Sequence, residues 1–261
     1  MNLMDEEEAA AIREWVRAGG CLYASGASSR VHARGQLLKD FLLADVFGVS
    51  LRKADWQERE HYLAPTPAGQ RFFADFDARC PAFVKGYGLE VEAHPGAEVL
   101  ATTTLPWPAP EPTKFSSIHS NPPWVATANP EIVFHRFGRG RVVYCSSVLE
   151  GVETLGDTFV KLIRFLHDGY RFTVEAPGVV EATFFHQRDR RRYVLTLVNF
   201  QKDLPNIPVD GIKIHLRVPE RVRAIQRLPN GAAISHRRRN GAVTFLAPRL
   251  HTLAMFAITV G

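Results

Sequence analysis

The chain has 261 residues, 46% of them hydrophobic and 23% charged, which are ordinary values for a globular protein of one large or two ordinary domains. No apolar run approaches the ~18 residues of a membrane-spanning helix, and the acidic start MNLMDEEEAAA lacks the apolar segment of a signal peptide. The three cysteines cannot form an even disulfide framework, so we expect a cytoplasmic protein with free thiols and no membrane partner.

The first 50 residues favour helix and strand in alternation. A helix is predicted over residues 5–18, because Asp5 and Glu8 have the spacing of a capping box and apolar side chains recur at helical spacing. The segment CLYAS, residues 21–25, is a short apolar strand typical of a buried parallel sheet. A second helix is predicted over residues 36–47.

The middle of the chain is less regular until two apolar runs meet at a tight turn. Residues 51–95 are less regular in pattern and predict a packed insertion. Residues 131–137 and 141–146 predict two strands, because the glycines of Gly138-Arg-Gly140 between them accept positive φ. An amphipathic helix is predicted over residues 154–167. Three further strand candidates are His61–Ala64, Leu89–Ala93 and Ala97–Thr103.

From Phe172 onward helical periodicity disappears, and seven short strand candidates separated by turn signals predict a β-sandwich. The candidates are Phe172–Glu175, Val179–His186, Tyr193–Asn199, Ile212–Val218, Arg223–Leu228, Ala242–Leu246 and Thr252–Val260. This part holds 14 Lys and Arg against six Asp and Glu, although the whole chain has a net charge of only +5. We therefore predict two domains, an α/β domain over residues 1–170 and a β-sandwich over residues 171–261.

The best candidate for a functional site is the polar loop of residues 116–124, SSIHSNPPW. His119, Ser120 and Asn121 offer an imidazole, a hydroxyl and an amide close to the ring of Trp124. Polar groups beside an aromatic plate are typical of sugar binding. The alternative is a turn closed by its own side chains, in which Trp124 contacts the core or a subunit interface.

Two other groups of polar residues suggest function less directly. Ser25 and Arg30 follow the first predicted strand, and loops in that position border the ligand crevice of open α/β sheets, although a flexible turn explains them equally. Glu150 lies near Glu153 and Asp157, and glycoside hydrolysis needs two carboxylates facing one sugar bond. Acidic side chains that favour a helix N-terminus are the alternative. We assign no catalytic residue.

The remaining motifs favour no cofactor, metal or nucleic-acid site. The ten histidines include no HExxH pattern or helical His pair, which disfavours a zinc centre. Gly138-Arg-Gly140 precedes a strand and no Lys-Ser or Lys-Thr follows it, so it is not a phosphate loop. The arginine clusters at 188–192 and 237–239 lie at predicted hairpin tips without an aromatic platform, which disfavours nucleic acid as a partner.

Three stretches of the sequence share a pattern with one enzyme family. They are AIREWVRAGGCLYASG with LLADVFGV, SSIHSNPPW with PEIVFHRFGRGRVVYCSS, and APGVVEATFFHQRDRRRYVLTLVNF. The pattern resembles the C-terminal region of β-galactosidase-like, family 42-type bacterial glycoside hydrolases. In that family a catalytic barrel precedes a trimerisation domain of flavodoxin-like, class I glutamine amidotransferase-like fold and a terminal β domain. The resemblance implies an α/β plus all-β fold, with a partial flavodoxin-like domain followed by a β-sandwich.

The sequence also departs from that family. The family's catalytic carboxylates lie on a barrel, which alone takes ~250 residues and is not present in this chain. The first strands of the trimerisation domain lack a counterpart, so we expect either a fragment or a sheet edge that a partner covers. No GxCxG or GxSxG pattern occurs, and Cys21 begins a strand directly after Gly19-Gly20, which disfavours amidotransferase chemistry.

The favoured hypothesis is a non-catalytic oligomerisation and support region of a glycoside-hydrolase-like protein, expected to form a homodimer or homotrimer. The alternative is a stand-alone carbohydrate-binding or carbohydrate-hydrolysing protein that uses the loop of residues 116–124. Neither hypothesis implies a cofactor.

Overall fold

The computed structural model describes residues 3–107, 121–167 and 169–261. The chain is mostly β, with 48% of it in strands and 16% in helices. It divides into two compact units, Met1–Asp168 and Gly169–Gly261, called unit 1 and unit 2 below. No helix in the described ranges is long and apolar enough to cross a membrane.

The described part of unit 1 consists of a six-stranded sheet, a small two-stranded ribbon and three α-helices. The strands are β1 (Leu3–Met4), β2 (Cys21–Ser25), β3 (Val31–His32), β4 (Val49–Pro65), β5 (Ala82–Ala93), β6 (Glu98–Pro106), β7 (Pro123–Phe137) and β8 (Gly140–Cys145). The α-helices are α1 (Glu6–Arg17), α2 (Ala44–Phe47) and α3 (Gly156–Leu166), and 3-10 turns cover Gln70–Phe72, Leu149–Gly151 and Glu153–Leu155.

The six-stranded sheet has the order β2-β8-β7-β6-β4-β5, and β1 pairs with β3 in the separate ribbon. Within the large sheet, β2 and β8 are parallel and the other neighbours are antiparallel. A flavodoxin-like sheet is mostly parallel. The finer assignment of unit 1 to a partial flavodoxin-like fold therefore stays a prediction, while its β-rich character with flanking helices is observed.

Helix α1 forms where the sequence predicts it. An Asp5 carboxylate oxygen accepts a hydrogen bond from Glu8 N at 2.8 Å, and the Glu8 carboxylate accepts one from Asp5 N at 3.0 Å, which completes a capping box. Ala9 and Val16 are fully buried on its inner face. Gly19 then adopts a φ of +117°, a conformation that favours glycine, and the chain turns into β2.

The centre of the large sheet is buried on both faces. Successive side chains of a strand point to opposite sides, so Val142 and Tyr144 of β8 pack with α1 and α2, whereas Val143 and Cys145 pack with α3. Burial on both faces explains why β8 is a nearly continuous apolar run. The prediction of a strand over residues 141–146 is confirmed.

One predicted element of unit 1 is wrong, and another is more regular than expected. The helix predicted over residues 36–47 shrinks to the four residues of α2, because the preceding segment bonds to the loop after β2, as in the 3.0 Å bond from Leu38 N to Arg30 O. The insertion predicted over residues 51–95 is a long antiparallel hairpin of β4 and β5. These strands contain the predicted strands His61–Ala64 and Leu89–Ala93, which are confirmed. Both strands of the hairpin mix charged and apolar residues, so they lack the uniform run that marks a buried strand.

Unit 2 contains two antiparallel sheets. The strands are β9 (Phe172–Glu175), β10 (Val180–Gln187), β11 (Arg192–Asn199), β12 (Lys213–Leu216), β13 (Val222–Leu228), β14 (Ala232–Ala233), β15 (His236–Arg239), β16 (Ala242–Leu246) and β17 (Leu253–Val260). One sheet has the order β10-β11-β17-β13-β14 and the other has the order β15-β16-β12-β9. A 3-10 turn, Arg188–Arg190, lies between β10 and β11.

The two sheets of unit 2 enclose one hydrophobic core, as in a β-sandwich. Leu195 and Phe256 enter the core from the five-stranded sheet, and Ile214 and Phe245 enter it from the four-stranded sheet. The predicted β-rich character of this part is confirmed, and each of the seven predicted strands has a counterpart. The arginine cluster 237–239, predicted at a hairpin tip, belongs instead to the edge strand β15.

The turn between β7 and β8 packs tightly against the end of α1. Gly138 has a φ of +61°, which favours glycine. A Cβ atom on Gly140 would lie only 2.1 Å from Val16 O. Arg139 N donates a hydrogen bond to Arg17 O at 3.0 Å. The two glycines therefore allow the hairpin turn to approach the helix backbone.

Replacing Gly140 by alanine tests this packing. The added methyl group would meet backbone atoms, which no side-chain rotation can relieve, so we expect the free energy of unfolding to fall by about 2–3 kcal/mol in urea denaturation. Gly86→Ala is the matched control, since Gly86 also lies in a strand and no described atom lies within 4 Å of its Cβ position. Equal losses in the two variants would contradict the close approach.

Candidate functional site

A first group of polar side chains lies at the carboxyl ends of the parallel strands β2 and β8. Ser25, the last residue of β2, donates a hydrogen bond from Oγ to Glu150 Oε1 at 2.6 Å. The Tyr23 hydroxyl donates to Glu150 Oε2, also at 2.6 Å. Glu150 lies in the 3-10 turn that follows β8. The structure thus brings together Ser25 and Glu150, two of the residues predicted for a site.

These contacts keep Glu150 ionised. Burial alone would raise the pKa of Glu150, but the hydrogen bonds from Ser25 and Tyr23 lower that pKa below its ordinary value. Burial raises the pKa of the Tyr23 hydroxyl and of the Cys145 thiol well above their ordinary values, so both groups stay protonated at neutral pH. Glu150 therefore lacks the raised pKa of a general acid, and Cys145 lacks the thiolate of a nucleophile.

A second group of polar side chains surrounds the buried carboxylate of Glu131 in β7, which is only 3% exposed. Thr103 in β6 donates a hydrogen bond from Oγ1 to Glu131 Oε2 at 2.7 Å. Ser147, in the segment after β8, donates to Glu131 Oε1. His61 in β4 places Nε2 3.2 Å from the same oxygen. One carboxylate is thus bonded from three other segments of the sheet.

The Glu131–His61 pair is charged in the folded protein. Burial alone would raise the pKa of Glu131, but the bonds from His61, Ser147 and Thr103 lower it below its ordinary value. Burial alone would lower the pKa of His61, but the bond to Glu131, its negative charge and a bond with the Arg59 backbone raise it. The cluster is a buried carboxylate–imidazolium pair with satisfied hydrogen bonds.

Ser147, His61 and Glu131 do not have the geometry of a nucleophilic triad. In a triad, one imidazole nitrogen accepts the serine proton while the other donates to the acid. Here a single nitrogen, His61 Nε2, lies 3.2 Å from both Glu131 Oε1 and Ser147 Oγ. Ser147 gives its own proton to Glu131. With this bonding, Ser147 and His61 both act on the Glu131 carboxylate, and the cluster links β4, β7 and the segment after β8.

The cavity beside the Glu131 cluster is too small for a sugar. Its volume is about 50 Å³. Small-molecule sites usually occupy ~300–1,000 Å³, whereas one water needs ~10–15 Å³. The lining includes His61, Thr103, Asn129, Glu131, Ser146 and Ser147. The cavity therefore suits a few water molecules. Within the described ranges, no group of three or more His, Cys, Asp or Glu side chains is placed to hold a metal ion.

Exposed aromatic rings mark one end of the β6–β7 ribbon. Trp107 and Trp124 are 48% and 44% exposed, and their ring centroids lie 4.4 Å apart in an edge-to-face contact. Asn121 is held by two hydrogen bonds. Its backbone carbonyl oxygen accepts one from the Tyr62 hydroxyl at 2.6 Å, and its side-chain Nδ2 donates one to Glu60 Oε2 at 3.2 Å. An aromatic surface and anchored polar groups thus lie at the same end of the ribbon.

Three of the predicted site residues remain to be placed. His119 and Ser120 lie outside the described residues. Arg30 is 8% exposed, and its Nε donates a hydrogen bond to Leu38 O at 2.6 Å, so it supports the loop after β2. A role of these three residues in ligand binding stays a prediction.

Reasoning from the sequence missed the Glu131 cluster and Trp107. Glu131 was predicted only as the first residue of a strand. A carboxylate directly before the apolar run Ile132-Val133-Phe134 is a signal that could have found it, because a charge there must be buried with partners. His61 gave no such signal, since it lies 70 residues away from Glu131 in the chain.

Comparison with known proteins places this fold among parts of glycoside hydrolases. No protein-family model and no curated protein matches the sequence. α-L-Fucosidase isoenzyme 2 from Paenibacillus thiaminolyticus aligns with 100% of this chain and 40% of its own, with a TM-score of 0.74 and 19% identity. A β-galactosidase from Bacillus circulans sp. alkalophilus aligns with 99% of this chain and 32% of its own, with a TM-score of 0.60 and 15% identity.

A GH42 β-galactosidase from G. stearothermophilus gives a similar result, with 98% of this chain and 30% of its own aligned, a TM-score of 0.59 and 14% identity. The chain thus spans 40% or less of the length of these three structures. At such identities the likeness establishes the fold and not the activity. The resemblance to part of a family 42-type enzyme is therefore a resemblance of architecture.

Replacing Glu131 by glutamine tests the buried pair through its pH dependence. Glu131 has a folded-state pKa below its ordinary 4.5, so its contribution exists above about pH 4.5 and is lost as pH falls through the folded-state value. His61 has a folded-state pKa above its ordinary 6.5, so its contribution is complete below about pH 6.5 and is lost as pH rises through the folded-state value.

The pair therefore stabilises the fold most between about pH 4.5 and 6.5. We expect Glu131→Gln to lower the free energy of unfolding by about 3 kcal/mol in that window, and by less at alkaline pH, in urea denaturation. Glu6→Gln is the control, because Glu6 pairs with His32 at 3.0 Å but is 77% exposed. A pH-independent loss in Glu131→Gln would contradict the charged pair.

Proposed function

We propose that this chain is a non-catalytic oligomerisation and support region of a glycoside-hydrolase-like protein. The fold supports the association with that class, because a fucosidase and β-galactosidases share it over nearly the whole of this chain. The alignment with a minor part of each of those chains is consistent with a supporting region. The assignment of unit 1 to a trimerisation-type, amidotransferase-like domain belongs to this proposal.

The observation that carries the non-catalytic assignment is the state of the acidic side chains. Glycoside hydrolysis requires a carboxylic acid with a raised pKa opposite a second carboxylate. The pKa of Glu131 and that of Glu150 are both lowered, and hydrogen-bond donors occupy both oxygens of each carboxylate.

Self-association has support from the edges and surface of unit 1. Strand β2 lies at one edge of the six-stranded sheet, and a strand edge can pair with another chain. Leu3 of β1 and Leu37 are each 53% exposed, and both lie opposite Val31. These two leucines flank the same residue, and grouped exposed apolar side chains mark contact surfaces. We therefore propose a homodimer or homotrimer.

Light scattering coupled to size-exclusion chromatography tests this function. We expect a mass two or three times 29.2 kDa at concentrations well above micromolar. We expect Leu37→Glu to shift the mass towards the monomer, because a charge is costly to bury in an interface. Leu204→Glu is the matched control, since Leu204 in unit 2 is 82% exposed. A strict monomer, or hydrolysis of chromogenic glycosides by the chain alone, would overturn the proposal.

The second candidate function is carbohydrate binding at the end of the β6–β7 ribbon. It is favoured by one observation, the exposed pair of Trp107 and Trp124 close to the anchored Asn121. Indole rings pack against the apolar C–H faces of sugars, while amides and carboxylates bind their hydroxyl groups. His119 and Ser120, in the adjoining segment, belong to this proposal as further polar groups.

Titration of neutral oligosaccharides, followed by intrinsic tryptophan fluorescence and calorimetry, tests the second candidate. If the pair binds sugar, Trp124→Ala and Trp107→Ala should each weaken binding about tenfold or more, because each removes an aromatic contact. Trp15→Ala is the control for loss of an exposed indole, since Trp15 of α1 is 53% exposed. Unchanged affinity in Trp124→Ala would dispose of this candidate.

A further inference from the structure

The outer face of the four-stranded sheet in unit 2 gathers basic side chains. Arg237 of β15 and His215 of β12 both lie opposite Thr244 of the central strand β16, and directly opposed residues share a face. The neighbouring residues of β16, Val243 and Phe245, point into the core. The face that carries Arg237, His215 and Thr244 is therefore the one turned away from the core.

This face has fewer acids than cations. Its carboxylate, Glu175 of β9, lies 2.6 Å from His215 Nε2 and 3.4 Å from Lys213 Nζ. Arg237 and Arg239 alternate on the same face, and their side chains form no hydrogen bond or ion pair with any described residue. One carboxylate thus faces three permanent cations, and the two guanidinium groups keep all their donors available.

A groove opens beside these cations where β15 begins. β15 pairs with β16 only as far as the His236–Phe245 pair, and the preceding residues cross to the other sheet of unit 2. Leu246 is consequently 62% exposed. The groove has a volume of about 540 Å³, within the ~300–1,000 Å³ typical of ligand sites. Its lining includes Lys213, Ser235, His236, Arg237, Thr244 and Leu246.

We propose that this groove binds an acidic oligosaccharide through its carboxylate or sulfate groups. The Arg237 guanidinium offers a planar fork that matches such oxyanions. Lys213, which also lies 3.4 Å from the Glu175 carboxylate, is in the same lining. Ser235 and Thr244 supply hydroxyl groups for sugar hydroxyls, and Leu246 supplies an apolar wall for ring C–H groups. The choice of a saccharide rests on the proposed association with glycoside hydrolases.

Two alternative roles explain the basic strand β15 less well than saccharide binding does. They are protection of the sheet edge and binding of nucleic acid. Charged side chains on an edge strand discourage pairing with other chains, but that role requires no groove beside them. Nucleic-acid strands bind to grooves that combine cations with exposed aromatic rings. Of the two ring side chains in this lining, Phe245 is buried in the core at 3% exposure and His236 is half-buried. The groove therefore favours saccharide over nucleic acid.

Calorimetric titration of the whole chain at low salt tests the proposal, with a heparin-derived hexasaccharide and an oligogalacturonate as probes. We expect at least one of these acidic probes to bind, with an affinity that falls as salt is added. A neutral oligosaccharide of equal length should bind weakly, with an affinity that does not depend on salt. Arg237→Ser should weaken binding about tenfold or more, and Arg237→Lys should weaken it less, because the charge remains while the fork is lost.

Arg190→Ser is the matched control, because it removes an equal exposed charge from the turn between β10 and β11, and it should change the affinity less than about twofold. Circular dichroism verifies that each variant is folded. The proposal is overturned if neither acidic probe binds, if single-stranded DNA of equal charge binds as tightly, or if Arg190→Ser weakens binding as much as Arg237→Ser. Light scattering measures the proposed assembly separately, so the two proposals can fail independently.

Discussion

A carboxylate buried inside a sheet obliges the strands around it to satisfy its charge. Removing an ion from water costs several kcal/mol unless hydrogen bonds and an opposite charge offset that cost. For Glu131 the offset comes from Thr103, His61 and Ser147, which lie on β6, on β4 and after β8. A one-residue slip of any of these segments would turn the donor to the opposite face. The buried charge therefore helps to specify strand order and register across the sheet.

The bonds that stabilise Glu131 also favour its ionised form. Glu131 accepts hydrogen bonds at both oxygens and lies 3.2 Å from His61 Nε2. Glu150 likewise accepts bonds from Ser25 and Tyr23 at its two oxygens. Both carboxylates thus tie neighbouring segments of unit 1 together. The exposed tryptophans of unit 1 and the basic groove of unit 2 offer different surface chemistry.

The sequence was most informative where a single local rule decided the outcome. The capping box of α1, the apolar run of β8 and the regularly spaced strands of unit 2 each follow from residues close together in the chain. Ser25 and Glu150 were identified separately, and only the fold shows that they bond to each other. The β4–β5 hairpin and the pairing of His61 with Glu131 depend on contacts between distant segments, for which one sequence offers no local signal. The short α2 shows the opposite case, in which tertiary bonds to a neighbouring loop override helical periodicity.

Strand β8 belongs to two cores at once, and this has an evolutionary consequence. Val142 and Tyr144 are constrained by the residues around α1 and α2, while Val143 and Cys145 are constrained by those around α3. A substitution in β8 affects the packing on one face of the sheet only. Gain or loss of one residue would instead turn the side chains of each face towards the opposite core, so that neither core would pack correctly. Variation in length is therefore expected to concentrate away from β8, for example at the β5–β6 turn, where a Cβ on Gly96 would meet no described atom within 4 Å.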